Sequence, residues 1–330
     1  MKLFQQFKNM FELNKTYKIL LAVWLLLWGI NLNVSAQEFK KTATSGFTFL
    51  QIPVSARTAA LGESSIALSD MNSQGMFSNP AIMGFTNHSH SFSASYSNWF
   101  ADIKNYASSY SIHTDFGVLG VGVIMFDYGS MPRTSVSGGQ KVYDVIGSFE
   151  ANSISAALSY SRLLTDRFSF GVSLKYVQER IDKYSADNIL FDGGLLYYTG
   201  LGSFRIAASI QNFGTNTKFI NDEFKMPAMF RLGAAAEVLG DMNSEYRITL
   251  IGEAMHPNDG DERVNAGTEI SWKNMITLRA GYKFFYDEES YSFGFGLDPK
   301  LSFPLNFDFA FADYGRLGNI FRFTLQLGWH

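Results

Sequence analysis

The sequence predicts an all-β fold, a transmembrane antiparallel β-barrel of about 14 strands closed by an N-terminal plug. Three observations carry that reading. The C-terminal residues alternate apolar and polar side chains one by one, and the same two-faced pattern recurs in thirteen earlier segments. Beyond an N-terminal leader, no apolar run approaches the roughly 20 residues that a spanning helix needs.

At the C-terminus, Phe321, Phe323, Leu325, Leu327 and Trp329 interleave with Arg322, Thr324, Gln326, Gly328 and His330. Successive strand side chains point to opposite faces, so the first set makes one apolar stripe. An apolar-faced, aromatic last strand resembles the C-terminal signal of outer-membrane barrels. Composition agrees. Charged residues make up 17% of the chain, below the roughly 25% usual in soluble domains, and aromatics make up 16%. The formal net charge of −3 leaves no basic footprint for nucleic acid. Cys is absent, which excludes disulfides, thiolate metal sites and a lipidated N-terminal Cys.

Residues 1–36 read as a signal peptide. Lys2, Lys8, Lys15 and Lys18 precede the apolar run 19–30, and Val34-Ser35-Ala36 supplies small residues for cleavage before Gln37. From 89 to 330 the two-faced segments follow one another: 89–98, 104–113, 116–127, 153–163, 167–177, 188–199, 204–213, 230–239, 246–255, 263–272, 276–284, 291–301, 305–312 and 319–330. Their length and alternation are those of membrane strands. A soluble sandwich or lipocalin-like barrel would turn the apolar face inward, but 14 strands enclose more interior than side chains fill. The opposite faces also carry Arg, Lys and Glu, which a lumen tolerates and hydrocarbon does not. The longest connections, 128–152 and 214–229, fall on one rim, the expected outer one, which places both termini in the periplasm.

Residues 37–88 break the pattern and read as a hatch in the lumen. A short helix is expected over 55–61 with Gly62 as its stop, and Asn79-Pro80-Ala81 pairs an N-cap with Pro at the first helical position.

The run Phe49-Leu50-Gln51-Ile52-Pro53-Val54-Ser55-Ala56-Arg57-Thr58-Ala59-Ala60-Leu61-Gly62 resembles the start of the PorV/PorQ family of FadL-like barrels. So do Ser78-Asn79-Pro80-Ala81, Trp99 with Ala101-Asp102-Ile103, Gly117-Val118-Leu119-Gly120, and Asp127-Tyr128-Gly129 with Thr134; Glu63-Ser64-Ser65 departs from it. The resemblance is dense over 47–135 and architectural afterwards. It implies a 14-stranded outer-membrane barrel with an N-terminal hatch, serving type IX secretion in Bacteroidota as acceptor of a partner or cargo protein. The Phe-Leu-x-Ile-Pro start leans toward the PorQ side, whose members hold a partner at the cell surface.

No H-E-x-x-H, G-x-S-x-G or Walker-type motif occurs, so the chain is expected to be no enzyme and to need no cofactor or metal. His88 and His90 share a strand face and read as rim residues, and 258–262 misses the EF-hand register. The expected lumen charges include Arg231, Glu237, Glu253, Glu269, Arg279 and Asp308; Arg57 of the hatch either pairs with one of these carboxylates or stands solvated at the periplasmic rim. Mixed signs at that density read as a network gripping the hatch. Partner binding is expected on outer loops, at Met131, Pro132, Phe219, Ile220, Phe224 and Met226. The leading function is therefore a noncatalytic docking barrel, contacting outer-membrane lipid and a secretion-pathway protein. The alternative is a FadL-like channel for a hydrophobic ligand.

Overall fold

The computed structural model describes residues 44–138, 142–242, 244–299, 301 and 303–329. The expected signal peptide, 1–36, and the first part of the expected hatch, 37–43, lie outside them. Fourteen antiparallel strands close into a barrel in which neighbours in sequence are neighbours in space and the last strand pairs with the first. They are β1 His90–Asn98, β2 Lys104–Thr114, β3 Gly117–Val136, β4 Tyr143–Thr165, β5 Phe168–Ile181, β6 Tyr184–Tyr198, β7 Arg205–Phe213, β10 Met229–Leu239, β11 Tyr246–Pro257, β12 Arg263–Trp272, β13 Ile276–Phe284, β14 Tyr291–Leu297, β15 Leu305–Asp313 and β16 Asn319–Trp329. A two-stranded hairpin, β8 Thr217–Lys218 with β9 Glu223–Phe224, lies in the connection between β7 and β10.

Closure comes from β1 and β16, which pair from His90↔Trp329 to Asn98↔Phe321. No edge is left at that seam, which removes the unpaired backbone groups that hydrocarbon would penalise. The alternation of the sequence becomes an inside and an outside. Leu158, Leu195, Leu278, Phe293, Phe321 and Leu325 are exposed on the outer wall, whereas Arg205, Arg231, Glu253, Glu269, Arg279 and Asp308 are buried on the inner one. Among the described residues, no helix is long and apolar enough to cross a membrane.

Two expectations are corrected at the rim away from the barrel's C-terminal strand end. The connection 128–152 is not a loop. β3 and β4 continue past Asp127↔Asn152 as a hairpin arm, with bulges between Asp127 and Ser130 and between Arg133 and Thr134. β2 stops opposite Asp127 and β5 stops opposite Ala151, so the arm extends past its wall neighbours, tied at its base to the β5–β6 turn by Arg133 on Asp182. Met131 and Pro132 are therefore strand residues, paired with Phe149 and Ser148. Alternation failed there because both faces of the arm meet solvent and no face has to be apolar.

The second correction concerns the start of the chain. The described N-terminal residues do not share a rim with Trp329. Ser45 bridges to Lys225, just before β10, at the arm-bearing rim.

Residues 44–89 pack on the inner wall. Helix α1, Ala56–Ala60, ends at Leu61 and Gly62 and packs against β13–β16. A 3-10 helix over Asn72–Phe77 faces β1–β3, and another over Pro80–Phe85 faces β3–β6. Asn79 caps the latter by accepting from the Ala81 N–H at 3.0 Å, with Pro80 at the first helical position.

Candidate functional site

An irregular segment inside a barrel brings backbone N–H and C=O groups that need partners away from bulk water. The inward polar side chains supply them. Thr324 accepts from the Ala56 N–H at 2.9 Å, Ser292 from Gly62 at 3.0 Å, and Glu253 from Ser65 at 3.0 Å. Arg205 donates to the Ala67 carbonyl at 2.6 Å, Arg231 to Glu63 at 2.9 Å, Ser169 to Ala81 at 2.8 Å and Gln326 to Met71 at 3.1 Å. The wall's polar face is thus complementary to this one segment.

Charged pairs tie the two together. Arg57 donates through Nε and Nη2 to the two oxygens of Glu269, both at 2.7 Å, and through Nη2 to Asp70 at 2.9 Å. Glu269 also accepts from Arg279, whose Nη1 reaches Asp308, each at 2.7 Å. The result is an alternating chain, Asp70–Arg57–Glu269–Arg279–Asp308, across α1, β12, β13 and β15. Its fork-on-carboxylate geometry fixes orientation as well as charge. Arg205 holds Glu237 through two bonds of 2.7 and 3.0 Å, Arg231 pairs with Glu253, and Lys283 pairs with Glu63 and Glu289. Arg231, Glu237, Glu253, Glu269, Arg279 and Asp308 all contribute to this interior. Glu63 and Asp70 join it without having been singled out in the sequence as ion-pair members. Glu63 was visible only as the departure in its motif, and Asp70 lies in a polar stretch without periodicity.

Burial alone would raise the Asp70 carboxyl. Arg57, with Arg247 and Arg205 behind it, more than offsets that and holds it below the usual carboxylate range. A depressed folded value means that the contribution is fully present above the unfolded value, about 4, and is lost as pH falls through the folded one. Protection of residues 44–88 from protease should therefore weaken in acid. Asp70→Asn should weaken it already at neutral pH and flatten the acid dependence, read by digestion across pH with an acid-tolerant protease.

Open space lies on the side of the barrel's C-terminal strand end. A vestibule of about 660 Å³ is lined by Ser69, Asp70, Phe85, His88 and Tyr198, and a neighbouring one of about 290 Å³ by Arg57, Arg247, Glu269 and Asp308. Between the segment and the wall nearer the arm, the cavity by Ile52, Phe77 and Met229 shrinks to about 50 Å³. Among the described residues, no group of three or more His, Asp or Glu side chains is placed to hold a metal ion.

The expected partner-binding residues divide. Ile220 is exposed, at 58%, and Pro132 is exposed on the arm. Phe224 and Met226 are corrected: they pack with Phe47 and Phe49 rather than facing outward, with Phe224 6.0 Å from Phe47 and Phe219 5.5 Å from Phe224. A short loop over an apolar N-terminal start buries its own aromatics there. The sequence reading missed the arm's tip, where Val136, Val142, Tyr143, Val145 and Ile146 are all exposed. A valine- and isoleucine-rich run inside a connection was the available signal.

The sequence pattern of one family, described as Type IX secretion system membrane protein PorP/SprF, matches residues 60–327. The chain belongs to that family. Its family and its closed, apolar-faced wall make the chain an outer-membrane β-barrel. No curated protein matches it. Among solved structures, it is similar to the toluene transporter TbuX of Ralstonia pickettii, at 13% identity and TM-score 0.58, over 84% of this chain and 98% of that one. It is also similar to the Pseudomonas putida toluene transporter TodX, at 15% and 0.55, over 82% and 95%. A FadL homologue of Pseudomonas aeruginosa matches at 10% and 0.56, over 84% and 99%. At these identities the likeness establishes the FadL-like fold of the PorP/SprF chain and nothing about what it carries.

Proposed function

We propose that this barrel docks a partner or cargo protein of the type IX secretion pathway at the cell surface, as its PorV/PorQ-like N-terminal motifs imply. In this reading the arm-bearing rim faces outward, residues 44–88 act as a plug, and the barrel performs no chemistry of its own. The observation that carries it is the exposed apolar set on elements standing beyond the wall: Val142, Val145 and Ile146 on the arm and Ile220 on the neighbouring loop. Apolar side chains held clear of both lipid and core are the kind that a protein interface covers.

Relatives in fold are named for toluene and hydrocarbon transport, which raises passage of a hydrophobic molecule as the alternative. An apolar solute needs an apolar path. Here the interior is crossed by buried Arg–carboxylate pairs and by a segment hydrogen-bonded to the wall, which favours docking.

Deleting 219–229 would strip the cover from Phe47, so the test uses exposed side chains only. Ile146→Asp with Ile220→Asp should leave a barrel that still shifts on a gel when heated, while the secretion-pathway protein that co-purifies with the parent barrel is lost. Undiminished recovery of that protein would refute rim docking.

A further inference from the structure

The N-terminal segment enters the lumen at one rim and leaves it at the other. At the arm-bearing rim, the Gly46 N–H donates to the Lys225 carbonyl at 3.1 Å, and Gln51 donates to Asp259 at 3.1 Å. Phe47 and Phe49 are buried there among Phe126, Val177 and Leu190, with Phe49 edge-on to Phe126 at 5.6 Å. At the opposite rim, Phe85 meets Tyr198 edge-on at 5.3 Å, and His88 lies against Gly328. The chain then turns into β1, whose first residue, His90, faces Trp329. Between the two rims, Arg57 on Glu269 and Glu63 on Lys283 fix the segment's position along the barrel.

From this threading we propose that residues 44–48 are displayed at the cell surface. Thr44 stands at this rim, next to the Ser45–Lys225 bridge of the 214–228 loop, and is part of the surface that a docked protein meets. The direction rests on the orientation proposed above, in which that rim is the outer one; the threading itself does not. Two anchors oppose withdrawal. Moving Phe47 and Phe49 out of their cluster exposes two aromatic side chains, and sliding the segment toward the other rim breaks the Arg57 and Glu63 pairs. Both Thr44 and Thr48 are exposed, whereas Phe47 between them is buried, so the segment is pinned at this rim with Thr44 and Thr48 open to solvent.

The absence of cysteine makes the test clean. Single-cysteine variants Thr44→Cys, Thr48→Cys, Ile220→Cys and Asp115→Cys are made in the full chain and exposed to a membrane-impermeant maleimide, in intact and in permeabilised cells. Ile220→Cys reports the long-loop rim and Asp115→Cys, in the tight turn between β2 and β3, the opposite one. Display requires Thr44→Cys and Thr48→Cys to label in intact cells together with Ile220→Cys, and Asp115→Cys to label only after permeabilisation. If Ile220→Cys labels in intact cells and the two threonine positions do not, the threading is wrong while the orientation stands. If Ile220→Cys and both threonine positions label only after permeabilisation, the orientation fails, and surface display fails with it.

Discussion

Replacing Arg57 by leucine is expected to free the N-terminal segment from the wall. The substitution leaves Glu269, which is buried, with Arg279 alone and removes the cation that Asp70 shares with it. Breaking a buried pair costs about 3–5 kcal/mol where the remaining charge is left without a partner, and Arg279, still on Glu269, lowers the cost here. The expected readout is faster cleavage before residue 89 in membrane-inserted protein, with the barrel itself intact. Arg57→Lys should fall between the two, since an ammonium cannot bond both Glu269 oxygens in the fork that Arg57 makes. Cleavage at the parent rate in Arg57→Leu would mean that the pair does not hold the segment.

Valine at Gly281 or at Gly171 should displace the segment more completely. A Cβ at 281 overlaps the backbone of Leu61 and Gly62, and one at 171 overlaps Pro80 and Ala81. Neither obstacle is a side chain that can swing away. Overpacking of a tight contact costs about 1–3 kcal/mol even where side chains can give, and here the backbone has to move. Both variants should still close as barrels, because positions 171 and 281 keep their ladder partners in β4, β6, β12 and β14. Ion conductance in planar bilayers should rise relative to the parent, and more so in the double variant. A silent bilayer with Gly171→Val and Gly281→Val combined would show that something other than residues 44–88 closes the lumen.

How much of this was legible in the sequence follows from which groups are forced to alternate. The wall was legible because each spanning strand has lipid on one side and polar contacts on the other. Phe321 to Trp329 and Leu278 with Arg279 show it at single-residue resolution. The arm was hidden for the converse reason. Beyond Asp127 neither face is constrained, so Ser130–Val136 and Tyr143–Glu150 carry no period. Arg57 was legible as a cation among alanines that needs an anion, and Glu269 was among the carboxylates the wall offered. Which one it takes depends on register across β12 and β13, where Glu269 stands opposite Arg279, and spacing along the chain does not encode that. Phe224 and Met226 misled because apolar residues in a loop look the same whether they await a partner or cover one. Only the return of Phe47 to that rim decides between the two.

Site-specific photo-crosslinking in native outer membranes tests the docking account most directly. A photoreactive residue is placed at Ile146, at Ile220, and at Leu278 on the lipid-facing wall. The account requires one defined adduct, containing a protein of the type IX secretion pathway, from Ile146 and Ile220, and none from Leu278. Adducts of equal yield from all three positions, or none from either rim position while hydrophobic small molecules are recovered inside the barrel, would contradict it.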